Sequence, residues 1–165
     1  MFATFHPTRI GETLTVVEKV VSEKTNQRLL QPYTPEEVRA ALFQMHPSKA
    51  PGSDGMSSFF LQKYWHIVGN SVSNAVLSVL NSGKILWKIN LTYLSLIPKK
   101  KKNPEKMSDY RPISLCNMLY KIISKVLANR LKIVLSVIIS DSQSAFVPGR
   151  MITDNVSVAF EVLNK

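Results

Sequence analysis

The sequence predicts an α+β fold, mainly helical with a small antiparallel sheet. Three observations lead there. Most apolar residues recur at helical spacing, in several segments along the chain. One run, Asn90 to Ile97, instead has the length and the β-branched and aromatic content of a strand. A second extended segment, Tyr110 to Ser114, returns after a basic loop of about a dozen residues, which suits an antiparallel pair.

Taken in order, Glu12 to Leu30 reads as one or two helical turns carrying Leu14, Val17, Val20 and Val21. Residues 1–30 form a helical lead-in, and residues 31–165 form the remaining unit. Gln31-Pro32-Tyr33 breaks the pattern. A helix then starts at Thr34 as N-cap, with Pro35 at its first position and Glu37 completing a capping box. Val38, Ala41, Leu42 and Met45 give it one apolar face, and His46-Pro47 ends it.

Lys49 to Gly55 is a turn-rich loop. Phe59, Phe60, Tyr64, Trp65 and Val68 share helical spacing, so they predict a core face closed by Gly69 rather than a base-stacking platform. A further helix spans Ser71 to Leu80, with Gly83 as its left-handed cap. Pro98 stops the first strand. A long helix begins near Cys116, with Leu119, Ile122, Ile123, Val126, Leu127, Leu131, Val134 and Leu135 facing the core. Asp141 to Arg150 is irregular. Thr153 or Asp154 caps a last helix carrying Val156, Ala159 and Phe160.

Composition narrows the function classes. Apolar content is 45% and charged content 19%, a globular balance. No apolar run reaches the roughly 18 residues that a membrane span needs. The opening MFATFHPTRIGETL lacks the apolar block of a signal peptide, so the chain is expected not to be secreted. One Cys and the scattered His6, His46 and His66 offer no metal cluster. Asp54, Asp109, Asp141 and Asp154 sit in loops or at helix starts, and no pair looks placed for two-metal phosphoryl transfer.

The net charge is +10, and it is concentrated. Lys99 to Lys132 holds ten Lys or Arg residues against Glu105 and Asp109, a net +8. Such a surface fits a polyanion, with nucleic acid first among candidates, or a solvated face. Lys99 and Arg111, at the facing ends of the two strands, could grip a phosphate, for which the planar Arg fork is suited. Equally, they could be ordinary surface cations. Lys121 and Lys125 lie one turn apart on the long helix and could track a nucleic-acid backbone or simply face water. In Gln143 to Arg150, Phe146 and Val147 would anchor a loop whose Pro148-Gly149 turn presents Arg150. Gln143 could meet a base edge or sugar, or be solvated.

Specificity comes from the ordered set of blocks: LQPYTPEEVRAALFQM, HPSKAPGSDGM, FFLQKYW, LNSGKILWKIN, LSLIPK, DYRPISLCNMLYKIISKVLANRL, IISDSQSAFVPGR and ITDN. Over residues 12–163 these resemble the reverse transcriptases of plant non-LTR, LINE-type retrotransposons. The resemblance implies the fingers and partial palm of a right-hand polymerase, truncated at Lys165. Under it, LIPK and RPIS are fingers motifs, and Lys99 and Arg111 contact the incoming nucleotide's phosphates or the template. Gln143 and Arg150 become template-side residues. It further implies an RNA template, a DNA primer and dNTP as partners, action at nuclear DNA, and Mg²⁺ in the intact enzyme. The family's catalytic Asp residues would follow Lys165, so no catalytic residue, bound metal or polymerase activity is expected of this chain alone. Ser53 and Ser136 stand where the family usually has proline, and Lys100 to Lys102 make the loop more basic than usual. Two rival expectations are a nucleic-acid-binding module without catalysis and a non-functional relic.

Overall fold

The structure is a computed structural model that describes residues 20–99 and 104–140, together with 143, 147, 149–151, 153, 156 and 160. Its elements run α1 (Glu23–Leu29), α2 (Pro35–Phe43), α3 (Ser58–Lys63), α4 (Trp65–Ser82), α5 (Trp87–Asn90), β1 (Thr92–Pro98), a 3-10 turn (Met107–Asp109), β2 (Tyr110–Cys116) and α6 (Met118–Ile138). The described residues are therefore mainly helical, with one two-stranded antiparallel sheet. Contacts divide the chain into two compact units, one of Gln31–Leu131 and one that groups Met1–Leu30 with Lys132–Lys165. Residues 12–19 of the expected lead-in lie outside the described residues, as do Lys100 to Asn103.

The unit Gln31–Leu131 is organised by α2. Its start is as expected: Thr34 Oγ1 accepts from Glu37 N at 3.4 Å, and Thr34 N donates to the Glu37 carboxylate at 2.9 Å. Pro35, with no N–H to leave unpaired, occupies the first turn. The helix ends at Phe43, with Gln44 as C-cap, a turn before His46-Pro47. Val38, Ala41, Leu42 and Met45 are buried with Leu61, Val72, Val76, Met118, Ile122, Ile123 and Val126 in one cluster.

Two sequence expectations fail between Ser57 and Ser82. The helix break falls at Tyr64, not Gly69, and α4 runs unbroken through Gly69 to the left-handed Gly83, φ 68°. Gly69 lies inside the helix for a packing reason. A Cβ there would stand 2.8 Å from the Trp65 indole. The aromatic residues also do not form the core face. Phe59, Phe60 and Tyr64 are exposed, and α3 buries Ser58 and Leu61 instead. The break at Tyr64 resets the helical phase, so only Trp65 and Val68 of the predicted face reach the core, both partly buried. Leu127 and Leu131, assigned to the core face of the long helix, are likewise exposed.

The sheet differs at its edges. The residues before it, Trp87–Asn90, form one helical turn, so β1 begins at Thr92. Pro98 is its last paired residue and faces Tyr110. β2 continues to Cys116, two residues past Ser114, which delays the long helix to Met118. That helix then runs through Ser136; proline there would remove one of its hydrogen bonds.

In the other unit, residues 20–22 and α1 line a cavity of about 300 Å³ with Ile133, Val134 and Val137. Ser22 caps α1 through Thr25 N. Thr153, Val156 and Phe160 are helical; Asp154 and Ala159 lie outside the described residues.

The helical phase is testable by paired truncation. Leu61→Ala should cost about 2–5 kcal/mol in urea unfolding. Phe59→Ala should stay within about 0.5 kcal/mol, as expected of an exposed side chain. Comparable losses from both would contradict the orientation of α3.

Candidate nucleic-acid interface

The hairpin sets the position of two candidate residues. Its register pairs Ile97 with Arg111 and Pro98 with Tyr110. A further bond, from Lys99 N to Asp109 O at 2.7 Å, carries the antiparallel arrangement one residue beyond the strand. Side chains alternate along a strand, so the paired Ile97 and Arg111 share one face, and Lys99 follows at the same end of the hairpin, one residue beyond β1. Both cations are exposed. The Lys99 ammonium donates to Ser108 O at 2.8 Å, in the 3-10 turn that precedes β2. Tyr110 Oη donates to Pro104 O at 3.2 Å and ties down the end of the basic loop.

The base of the hairpin is clasped by the loop around Gly52. Asn117 sits between β2 and α6 and is 7% exposed. Its Oδ1 accepts from Ser53 Oγ at 2.6 Å and from Asp54 N at 3.2 Å. Its Nδ2 donates to Lys88 O at 2.6 Å and Ile89 O at 3.3 Å. Asp54 completes the arrangement by accepting from Met118 N at 2.6 Å. A carboxylate placed there satisfies an amide that the first turn of α6 leaves unpaired and favours the positive end of the helix dipole. Gly52 is required by contact: a Cβ would stand 2.3 Å from Cys116 O. Ser53 thus supplies a hydroxyl that holds Asn117.

Lys121 belongs to this clasp. Its ammonium donates to Ala50 O at 2.6 Å and fixes the near end of the loop. Lys125, one turn on, is half-buried.

A second cation organises the far end of that unit. Arg130 grips Glu37 with Nε to Oε1 at 2.7 Å and Nη2 to Oε2 at 2.8 Å. It also donates to Gln31 O and Pro32 O, and its guanidinium lies 3.6 Å from the Tyr33 ring centroid. The fork geometry and the stacking are features Lys could not reproduce. Arg130's hydrogen bonds hold the Glu37 carboxyl below the usual carboxylate range, against a smaller opposing effect of burial. Glu37 therefore serves the capping box and the ion pair together. The sequence signalled only the first, because the 93-residue separation from Arg130 leaves no local trace.

Gln143 and Arg150 belong to the other unit. Arg150 N donates to Val147 O at 3.2 Å, and Gly149 has φ 83°, so the expected turn forms. Val147 is buried as expected; Phe146 and Pro148 lie outside the described residues. Arg150 is not simply presented to solvent. Its guanidinium turns back to Ser140 O at 2.5 Å and Gln143 O at 2.8 Å. The candidate residues thus fall on three features: Lys99 and Arg111 on the hairpin, Lys121 and Lys125 on α6, and Gln143 and Arg150 at a turn of the other unit.

The described carboxylates do not fit a pair of divalent ions. Asp54 is engaged by Met118 N and also accepts from Met56 N at 3.2 Å, and Asp109 accepts from Lys106 N at 3.1 Å. Among the described residues no three His, Cys, Asp or Glu side chains gather into a metal-binding group. Among those residues, too, no helix is long and apolar enough to cross a membrane.

Two comparisons with known proteins bear on this arrangement. Residues 97–165 match the family described as reverse transcriptase (RNA-dependent DNA polymerase). The chain is also 37% identical over 145 residues to the transposon TX1 uncharacterized 149 kDa protein of Xenopus laevis. That alignment takes in 88% of this chain and 11% of the relative, so the chain spans only a small part of the relative's length. The reverse-transcriptase match begins at Ile97, and so takes in Lys99, Arg111 and all of β2 and α6.

Asn117→Ala should cost about 2–3 kcal/mol, because it leaves partly buried partners unpaired; urea unfolding of the variant measures this. The Glu37 shift has a definite sign. A lowered folded-state value means its contribution is full above the ordinary Glu range and is lost as pH falls through the lowered value. Glu37→Gln should therefore flatten the acidic arm of the stability–pH curve. An unchanged arm would show that the pair with Arg130 adds nothing to stability.

Proposed function

We propose that the chain is the fingers and palm-entrance part of a LINE-type retroelement reverse transcriptase, and that it grips template and incoming nucleotide. The observation that carries this is the hairpin: Lys99 and Arg111 stand exposed at the same end of it, inside the residues that match the reverse-transcriptase family. The activity of the whole protein would be RNA-templated DNA synthesis. The likeness of the ordered sequence blocks to plant elements extends this reading to lineage.

In this role the chain's own residues bind and orient. Lys99 and Arg111 would neutralise phosphate oxygens, Lys99 as a point charge and Arg111 as a two-pronged donor. Arg111 precedes Pro112, whose ring favours extended backbone before it and so keeps the guanidinium on the strand. Lys125 would follow the backbone of a bound strand from α6. Lys121 and Arg150 would act mainly by shaping their loops, since both already donate to backbone carbonyls. The described carboxylates do not fit Mg²⁺, so no chemical step is assigned to them. The metal ligands would be supplied by another part of the full-length protein, and this segment alone would bind without polymerising.

Salt-dependent binding of a fluorescent RNA–DNA primer–template tests the reading. Lys99→Gln and Arg111→Gln should each weaken binding and make the dependence of log affinity on log salt shallower by about one. Binding as tight and as salt-dependent as that of the unmodified chain would remove the hairpin from the interface.

A further inference from the structure

We propose that Trp87, with Lys88 beside it, is a stacking platform for an unpaired base of single-stranded nucleic acid. This deepens the proposed function and rests on it. Trp87 is 71% exposed, whereas the chain's other tryptophan, Trp65, packs against the core. An indole offers one of the largest apolar faces of any side chain, and burying it is ordinarily favourable. Here it stays exposed on a turn whose backbone is hydrogen-bonded to the rest of the unit. Asn117 Nδ2 holds the carbonyls of Lys88 and Ile89, and Ile89 itself packs on the core. The same clasp that anchors β2 therefore fixes the orientation of α5.

Charge decides what such a face would meet. From Gly55 to Pro104 the sequence contains no Asp or Glu, and it carries Lys63, Lys84, Lys88 and Lys99 to Lys102. The Lys88 ammonium lies 5.8 Å from the Trp87 ring centroid. The same pairing of exposed ring and lysine recurs within this acid-free stretch, where Lys63 stands 5.9 Å from the Phe59 centroid and 5.6 Å from that of Tyr64. Exposed rings interleaved with cations, along a stretch that contributes no carboxylate of its own, suit a strand that offers bases to stack and phosphates to neutralise. Leu86 beside Trp87 is also exposed, as a protein-docking face would require, but the lysine against the ring favours a polyanion.

The test uses the full chain, a labelled oligouridylate of about a dozen nucleotides, and a duplex of the same length. A version of the single strand carrying 2-aminopurine reports stacking by loss of its fluorescence. Trp87→Ala should weaken single-strand binding about tenfold or more and abolish the quenching, with duplex affinity unchanged. Trp87→Phe should retain most of both, and it decides the matter if the alanine variant folds poorly. Lys88→Gln should lower the salt slope without abolishing quenching. Single-strand binding and quenching unaffected by Trp87→Ala would overturn this inference and leave the proposed function standing. An unmodified chain that bound neither oligonucleotide would overturn both. Loss of binding to anionic vesicles in Trp87→Ala, with single-strand binding intact, would reassign the face to a lipid surface.

Discussion

Much of the unit Gln31–Leu131 depends on one buried amide. Asn117 joins three segments far apart in sequence: the loop at Ser53 and Asp54, the turn at Lys88 and Ile89, and the junction of β2 with α6. Both ends of the side chain are satisfied, which is what makes a buried Asn stabilising rather than costly. A two-stranded hairpin is marginal alone in water. This one has most of its large apolar residues exposed, including Tyr93, Leu94, Leu96, Ile97 and Ile113. Its position relative to the helices is therefore held at its base, by Asn117, by the close approach of Gly52 to Cys116 and by Asp54 at the start of α6.

The basic character of the chain separates into two uses. Arg130, Lys121 and Arg150 donate to carbonyls or a carboxylate and hold segments in place. Lys99 and Arg111 stand exposed on the hairpin, with the lysine steadied by Ser108. Net charge draws a polyanion toward the molecule, but only cations left at the surface can contact it. Of the charge concentrated between Lys99 and Lys132, Lys121 and Arg130 are thus engaged in holding the fold.

Local signals were read well where their chemistry is local. Thr34, Pro35 and Glu37 marked the start of α2 because a capping box closes within four residues. Gly83 marked the end of α4 because its positive φ is a single-residue requirement. The hairpin was legible from its β-branched content and from Arg111-Pro112. Misreadings arose where one residue changed the phase of a pattern. Phe59, Phe60 and Tyr64 fit a helical period, yet the break at Tyr64 turned them outward, and periodicity cannot register a reset that packing imposes.

By itself the sequence determined the mainly helical composition, the single hairpin, the concentration of cations and the ordered blocks that led to the reverse-transcriptase likeness. Each of these rests on residue type, short spacing or order along the chain. The tertiary structure decided which cations are held and which stand exposed, which aromatics face water, and that Ser53, Asp54, Lys88, Ile89 and Asn117 form one clasp. The clasp depends on contacts between residues separated by 28 to 64 positions, and the Arg130–Glu37 pair on one of 93. A hydrogen bond across such a distance is set by the packing of helices and strand, and no short pattern in the chain encodes it.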